Sequence, residues 1–348
     1  MYRKGIISTI LLIVLVVSLF PVYSLSAIAV GDSFSTISTG TFYSAAIDSN
    51  GGLWMWGSNA NGQFGNGTLR GSDYPEKIME NVAAVSSGGS TTFIIKTDAS
   101  LWASGYNWGG ELGDGTDVER HSYVKIMDNV IAVSSNGTYT MAIKTDRSLW
   151  VWGSIMLPED IATVDTLSPV KIMDNVSEIA AGNPNSCAMV VKTDGSLWVW
   201  GLNTFGQFGR GVIRTPIEFM DNVASISAQW GAYTMVIKID HSLWAWGFNE
   251  NGQLGDGTGD IKYSPIKIMD DVFAVSTGSE HTMAIKTDGT LWVWGANSWG
   301  ELGDGTKEAR YSPVKIILNS RNISIHNEWW TEILQRSILS TGLTRRLS

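Results

Sequence analysis

The chain of 348 residues holds one cysteine, Cys187, and four histidines. A single cysteine excludes an internal disulfide and any zinc site built from several thiolates. His121, His241, His281 and His326 stand in no H-E-x-x-H pair, and no G-x-S-x-G elbow accompanies them. Hydrolytic and metal-assisted chemistry thus have no local signature, and no cofactor is expected. Positive charge is also scarce: 24 Lys and Arg stand against 33 Asp and Glu, a formal charge of −9. An acidic chain without a polybasic run repels a phosphate backbone, which argues against nucleic acid as a partner. Beyond the first thirty residues no apolar run approaches the length of a membrane span.

The single apolar run lies at the start. Arg3 and Lys4 precede the stretch from Ile10 to Leu19, and the small-residue site Ala27-Ile28-Ala29 follows. This is the pattern of a secretory leader cut after Ala29, with an uncleaved N-terminal anchor as the alternative. Residues 1–29 therefore read as a signal peptide, and a monomeric mature chain starting at Val30 is expected in the medium or at the cell surface. Losing Arg3 and Lys4 takes its formal charge from −9 to −11. About 319 residues remain, enough to bury a core without disulfides. Cys187 reads as a small buried side chain in the slot that Met141, Met235 and Met283 fill elsewhere.

Tryptophan and glycine, at 16 and 38 residues, are abundant. The motif L-W-x-W-G, with one departure at Ser104, begins at Leu53, Leu101, Leu149, Leu197, Leu243 and Leu291, at intervals of 48, 48, 48, 46 and 48 residues. Six copies of one unit thus fill residues 30–318. In the last copy "VFAVSTG", "TMAIKT", "LWVWG" and "SPVKI" read as four strands, with Asp288-Gly289 turning the second into the third. Leu291 and Val293 point to one side of the sheet, Trp292 and Trp294 to the other. Both sides are apolar, so both must be covered. Four-stranded antiparallel blades packed face to face meet that need, and the expected fold is an all-β propeller. Eleven of the sixteen tryptophans fall in the two motif slots and are assigned to packing between blades.

The segment "VSTGSEHTMAIKTDGTLWVWGANSWGELGDGT" resembles the regulator of chromosome condensation repeat, with its G-x-x-H-T-x-A-L segment and W-G-x-N-x-x-G-Q-L-G-x-G loop. The resemblance implies a propeller, in that family usually of seven blades. Six repeats depart from this, and residues 319–348 carry no repeat landmark. Two readings stay open: a ring of six blades, or a seven-bladed type lacking its last blade through a frameshift. Within that tail, Asn327 to Leu339 could form a short amphipathic helix.

Family members include exchange factors for small GTPases, ultraviolet photoreceptors and secreted enzyme inhibitors. An export signal disfavours the first. The photoreceptor's G-W-R-H-T segments are replaced here by "GSEHT", "GGSTT", "GTFYS" and "NGTYT". The "GDGT" stretches lack the Lys and the following helix of a phosphate loop and read as turns. Their carboxylates are too sparse for a calcium shell.

The leading expectation is a non-enzymatic recognition module that binds a protein or a cell-surface polymer through the loops of one face. The loops joining strands one to two and three to four share that face; the short "TDG" and "MDN" turns share the other. Tyr43, Trp108, Tyr139, Trp230, Tyr233, Glu280 and Trp299 are the candidate contact residues. Carbohydrate binding, glycan cleavage or a structural surface role is the alternative. Cleavage would need a close carboxylate pair among Glu250, Asp256, Glu280 and Glu301.

Overall fold

The computed structural model describes residues 34–156, 163–182, 188–201, 213–228 and 232–316. The expected leader (1–29) and the segment after residue 316 lie outside them. Blade 1 comprises β1 (Phe34–Thr39), β2 (Tyr43–Asp48), β3 (Leu53–Gly57) and β4 (Ser72–Met79). Blade 2 comprises β5 (Val82–Gly88), β6 (Thr91–Lys96), β7 (Leu101–Gly105) and β8 (Arg120–Met127). Blade 3 follows with β9 (Val130–Ser135), β10 (Tyr139–Lys144), β11 (Leu149–Met156) and β12 (Thr163–Met173). Blade 4 holds β13 (Val176–Ala181), β14 (Ala188–Lys192), β15 (Leu197–Gly201) and β16 (Ile213–Met220). Blade 5 holds β17 (Val223–Ser227), β18 (Tyr233–Lys238), β19 (Leu243–Gly247) and β20 (Lys262–Met269). Blade 6 ends the series with β21 (Val272–Thr277), β22 (His281–Lys286), β23 (Leu291–Gly295) and β24 (Arg310–Lys315). Every sheet is an antiparallel meander in chain order, and the fold is a six-bladed β-propeller.

Turn chemistry sets the blade. The turn after the second strand needs a residue at positive φ, supplied by Gly51, Gly195 and Gly289 but by Ala99, Arg147 and His241 in the other three blades. The preceding aspartate compensates: Asp146 Oδ1 accepts from the Ser148 amide at 3.0 Å and its hydroxyl at 2.6 Å. Between blades, Asn81, Asn129, Asn175 and Asn222 take the left-handed conformation that asparagine tolerates.

The core is divided into seams. Among the described residues five hydrophobic clusters form, each between two consecutive blades, as where Met141, Leu149 and Val151 of blade 3 meet Val176, Val190 and Trp200 of blade 4. The Leu side of one blade meets the Trp side of the next.

The two tryptophan slots differ. The second is fully buried in Trp152, Trp200, Trp246 and Trp294. The register between third and fourth strands shifts at this residue in each blade, and the bulge leaves it unpaired in the ladder. Trp152 Nε1 then donates to the Glu111 carbonyl of the preceding blade, and Trp294 Nε1 to that of Gln253, both at 2.8 Å. Blade 2 has Ser104 there; its hydroxyl donates to the Gln63 carbonyl at 3.2 Å, and the Tyr123 ring occupies the space beside Gly65. The first tryptophan is only half-buried, and its indole N–H bonds within its own blade. Trp150 Nε1 donates to Ser148 at 2.9 Å, and Lys144 lies 5.4 Å over the ring. Trp102, Trp150 and Trp292 still pack against the seams with the preceding blades, so the expected blade-to-blade role extends to this slot, with less burial.

The register also corrects the cysteine. Met189 pairs with Val199 as Met141 pairs with Val151, so Met189 fills the methionine slot. Cys187 lies outside the described residues, as do Asn183, Pro184 and Asn185 of the divergent first loop.

Candidate functional site: the loop face of the propeller

Backbone hydrogen bonds bring the two long loops of each blade together. Ser58 N donates to Phe42 O at 2.8 Å, Tyr106 N to Ser90 O at 3.1 Å and Ala296 N to Glu280 O at 2.8 Å. At the opposite end Thr97 N donates to Asn81 O and Val82 N to Gly51 O, both at 2.9 Å, so the "TDG" and "MDN" turns share the other face. The two-faced arrangement expected from strand alternation is present.

An asparagine at the head of each described third loop holds the loop together. Asn107 Nδ2 donates to the carbonyls of Thr116 (2.9 Å) and Val118 (3.1 Å), while its Oδ1 accepts from Leu112 N at 2.8 Å. Asn59, Asn249 and Asn297 repeat the pattern. The "GDGT" aspartate closes the far side: Asp114 Oδ1 accepts from Thr116 N at 3.0 Å, and Arg120 Nε lies 2.6 Å from its Oδ2. Burial opposes ionisation of Asp304, yet hydrogen bonds from Thr306, Arg310 and Asn297 hold it at about 2. These carboxylates are committed to loop structure, in keeping with the turn reading. Among the described residues no group of three or more His, Cys, Asp or Glu side chains is placed to hold a metal ion.

The candidate contact residues separate into three groups. Trp108 and Trp299 are exposed, by 71% and 87%, in the third loops of blades 2 and 6. Tyr106 stacks beside Trp108 with centroids 5.8 Å apart. Glu280 is exposed in the first loop of blade 6. Tyr43, Tyr139 and Tyr233, by contrast, are buried and do not border a contact surface. Each opens a second strand facing a seam: Tyr43 donates to the Thr91 carbonyl, and Tyr233 to that of His281 at 2.6 Å, in the next blade. Trp230 lies outside the described residues.

His281, which matches the family histidine, follows Glu280 directly. Burial lowers its pKa, against the opposing charges of Glu301 and Glu280. Glu301 itself accepts from the Trp299 amide at 2.9 Å, so this carboxylate too supports a loop.

Phe42, 78% exposed in the first loop of blade 1, is a further surface aromatic beyond the sequence candidates. The signal was available: the equivalent positions hold Ser90, Thr138, Ser186, Ala232 and Glu280, and a phenylalanine there has no packing duty. Three exposed aromatics in the long loops, Trp299, Phe42 and Trp108, thus stand on blades 6, 1 and 2 on one face, while Tyr74, Tyr263, Phe273 and Tyr311 are exposed on strands.

A propeller of repeated L-W-x-W-G blades with Gly-rich loops defines the class, and comparison with known proteins places it. The RCC1-like domain family matches residues 25–329, and the chain belongs to that family. Yeast Prp20p from Saccharomyces cerevisiae, described for its binding to Gsp1p and histones, superposes with a TM-score of 0.70 at 19% identity, covering 83% of this chain and 78% of Prp20p. Human WBSCR16 superposes with a TM-score of 0.71 at 19% identity, covering 83% of both chains. At such identities the likeness is one of fold. No curated protein sequence matches the chain.

Proposed function

We propose that this protein is an exported, non-enzymatic recognition module that binds a protein partner through the loop face of blades 6, 1 and 2. The observation that carries the reading is the exposure of Trp299, Phe42 and Trp108 on one face, while most motif tryptophans and the seam tyrosines are wholly or partly buried. Exposed large aromatic rings are costly to leave in water and are the side chains that anchor interfaces. Similarity to yeast Prp20, described for its binding to Gsp1p and histones and in a complex with Kap60, supports a protein partner over a small molecule. Export rests on the leader pattern. N-terminal sequencing of protein recovered from the culture medium should begin at Val30; retention in the cell with Met1 intact would contradict it.

The binding reading is tested by presenting the mature protein and a Trp108→Ala/Trp299→Ala variant to the native secretome and to a glycan array. Capture of a protein by the first and not the second supports it. Retention on glycans alone would transfer the same rings to carbohydrate stacking.

A further inference from the structure

Five seams join six blades, and the side of blade 6 that faces away from blade 5 has no equivalent neighbour among the described residues. In blades 2 and 5 the third loop is a socket: a β-carbon at Gly113 would lie 2.6 Å from Trp152 Nε1, and one at Gly255 2.7 Å from Trp294 Nε1. Gly110 and Gly252 likewise abut Leu167 and Tyr311 of the next blade's outer strand, and Gly115 and Gly257 donate to the carbonyls of those two residues. In blade 6 the equivalents Gly300, Gly303 and Gly305 have no described atom within 4 Å of a β-carbon position. The same open side leaves Met283, Ile285 and Leu291 half-buried, where Met141, Ile143 and Leu149 are fully buried. Trp56 of blade 1, the residue that a six-membered ring would insert here, is itself half-buried and does not enter the socket.

We propose that the chain's own C-terminal segment, residues 317–348, covers this apolar side of blade 6 and seats the indole of Trp329 or Trp330 in the Leu302–Gly303 socket. The socket is built for an indole, since the seams of blades 2 and 5 with their successors use it so. Trp329 and Trp330 are the tryptophans that follow the last repeat. The chain leaves β24, the outer strand of blade 6, after Lys315, and the family match continues to residue 329. Thirteen residues reach from 317 to 329, an extended span of roughly 43 Å, against the ~10 Å that separates stacked sheets. The inference is independent of the recognition reading.

Hydrogen exchange of the full chain, read by mass spectrometry, tests it with the blade 5 loop at 249–258 as internal reference. The blade 6 loop at 297–306 should exchange as slowly as the reference, and in the Trp329→Ala/Trp330→Ala variant at least tenfold faster while the reference is unchanged. Fast exchange of the blade 6 loop in the unmodified chain overturns the proposal. So does protection that survives the double substitution, which would assign the socket to Trp56 or, if the protein sediments as a dimer, to a second copy. Should the double variant fold poorly, the single variants decide: one should expose the loop and the other leave it protected, and equal protection in both overturns the proposal.

Discussion

Trp294 in blade 6 donates its indole N–H to the Gln253 carbonyl in blade 5, and that carbonyl also accepts from the Thr282 hydroxyl at 2.8 Å. One backbone oxygen thus receives two bonds across a seam, next to a glycine where any β-carbon would collide with the indole. Trp294→Ala removes the largest fully buried side chain of that seam and one of these bonds. It should cost about 3 to 5 kcal/mol. Trp108→Ala, on an exposed loop ring, should cost far less. Thermal unfolding of the two variants checks this, and equal losses would refute the division into plugs and surface rings.

The tyrosine at the head of the second strand acts as a hydroxyl staple. Tyr233→Phe keeps the ring and leaves the His281 carbonyl without its 2.6 Å donor, so a loss of about 1 to 2 kcal/mol is expected in denaturant unfolding. Burial raises Tyr43 from 10.0 to about 12, against the bonds from Thr92 and Ser87. An acid with a raised folded pKa favours its neutral form in the native state. Its contribution is complete below pH 10 and is lost as pH rises toward 12. An alkaline melting series should show that loss, smaller in Tyr43→Phe.

Much of this was legible in the sequence. The 48-residue spacing, the paired turns and the opposite-facing Leu and Trp sides depend on local chemistry and strand alternation, and the blades follow them. The candidate site was legible in part. Trp108 and Trp299 lie in loops where no packing slot claims them, and they are exposed. Tyr43, Tyr139 and Tyr233 were misplaced because a loop-edge position does not reveal whether a ring turns outward or across a seam. That depends on the neighbouring blade, about 48 residues away in sequence. The distinction between the two tryptophan slots was hidden for a similar reason: alternation gives both the same side, and the bulge frees the second to bury fully against the preceding blade.

Glu178 on β13 gives a pH signature in the opposite range. Burial between blades 4 and 5 raises it to about 7, opposed by bonds from Ile226 N at 3.2 Å and the Ser225 hydroxyl at 3.1 Å. The unfolded chain ionises first, so stability should fall as pH rises from about 4.5 to about 7 and level off above. Glu178→Gln keeps an acceptor oxygen and should flatten that slope. An unchanged slope would place the titration elsewhere.

The recognition face is tested most directly by site-specific photo-crosslinking. A photoreactive amino acid is placed at Trp108, at Trp299 and, as a control near the opposite turns, at the exposed Phe273, and the protein is irradiated among the proteins of its native cells and their medium. The account predicts the same protein partner attached at 108 and 299 and none at 273, with Ala at either tryptophan weakening binding of that partner by more than about 1 kcal/mol. Attachment at 273 alone would contradict it.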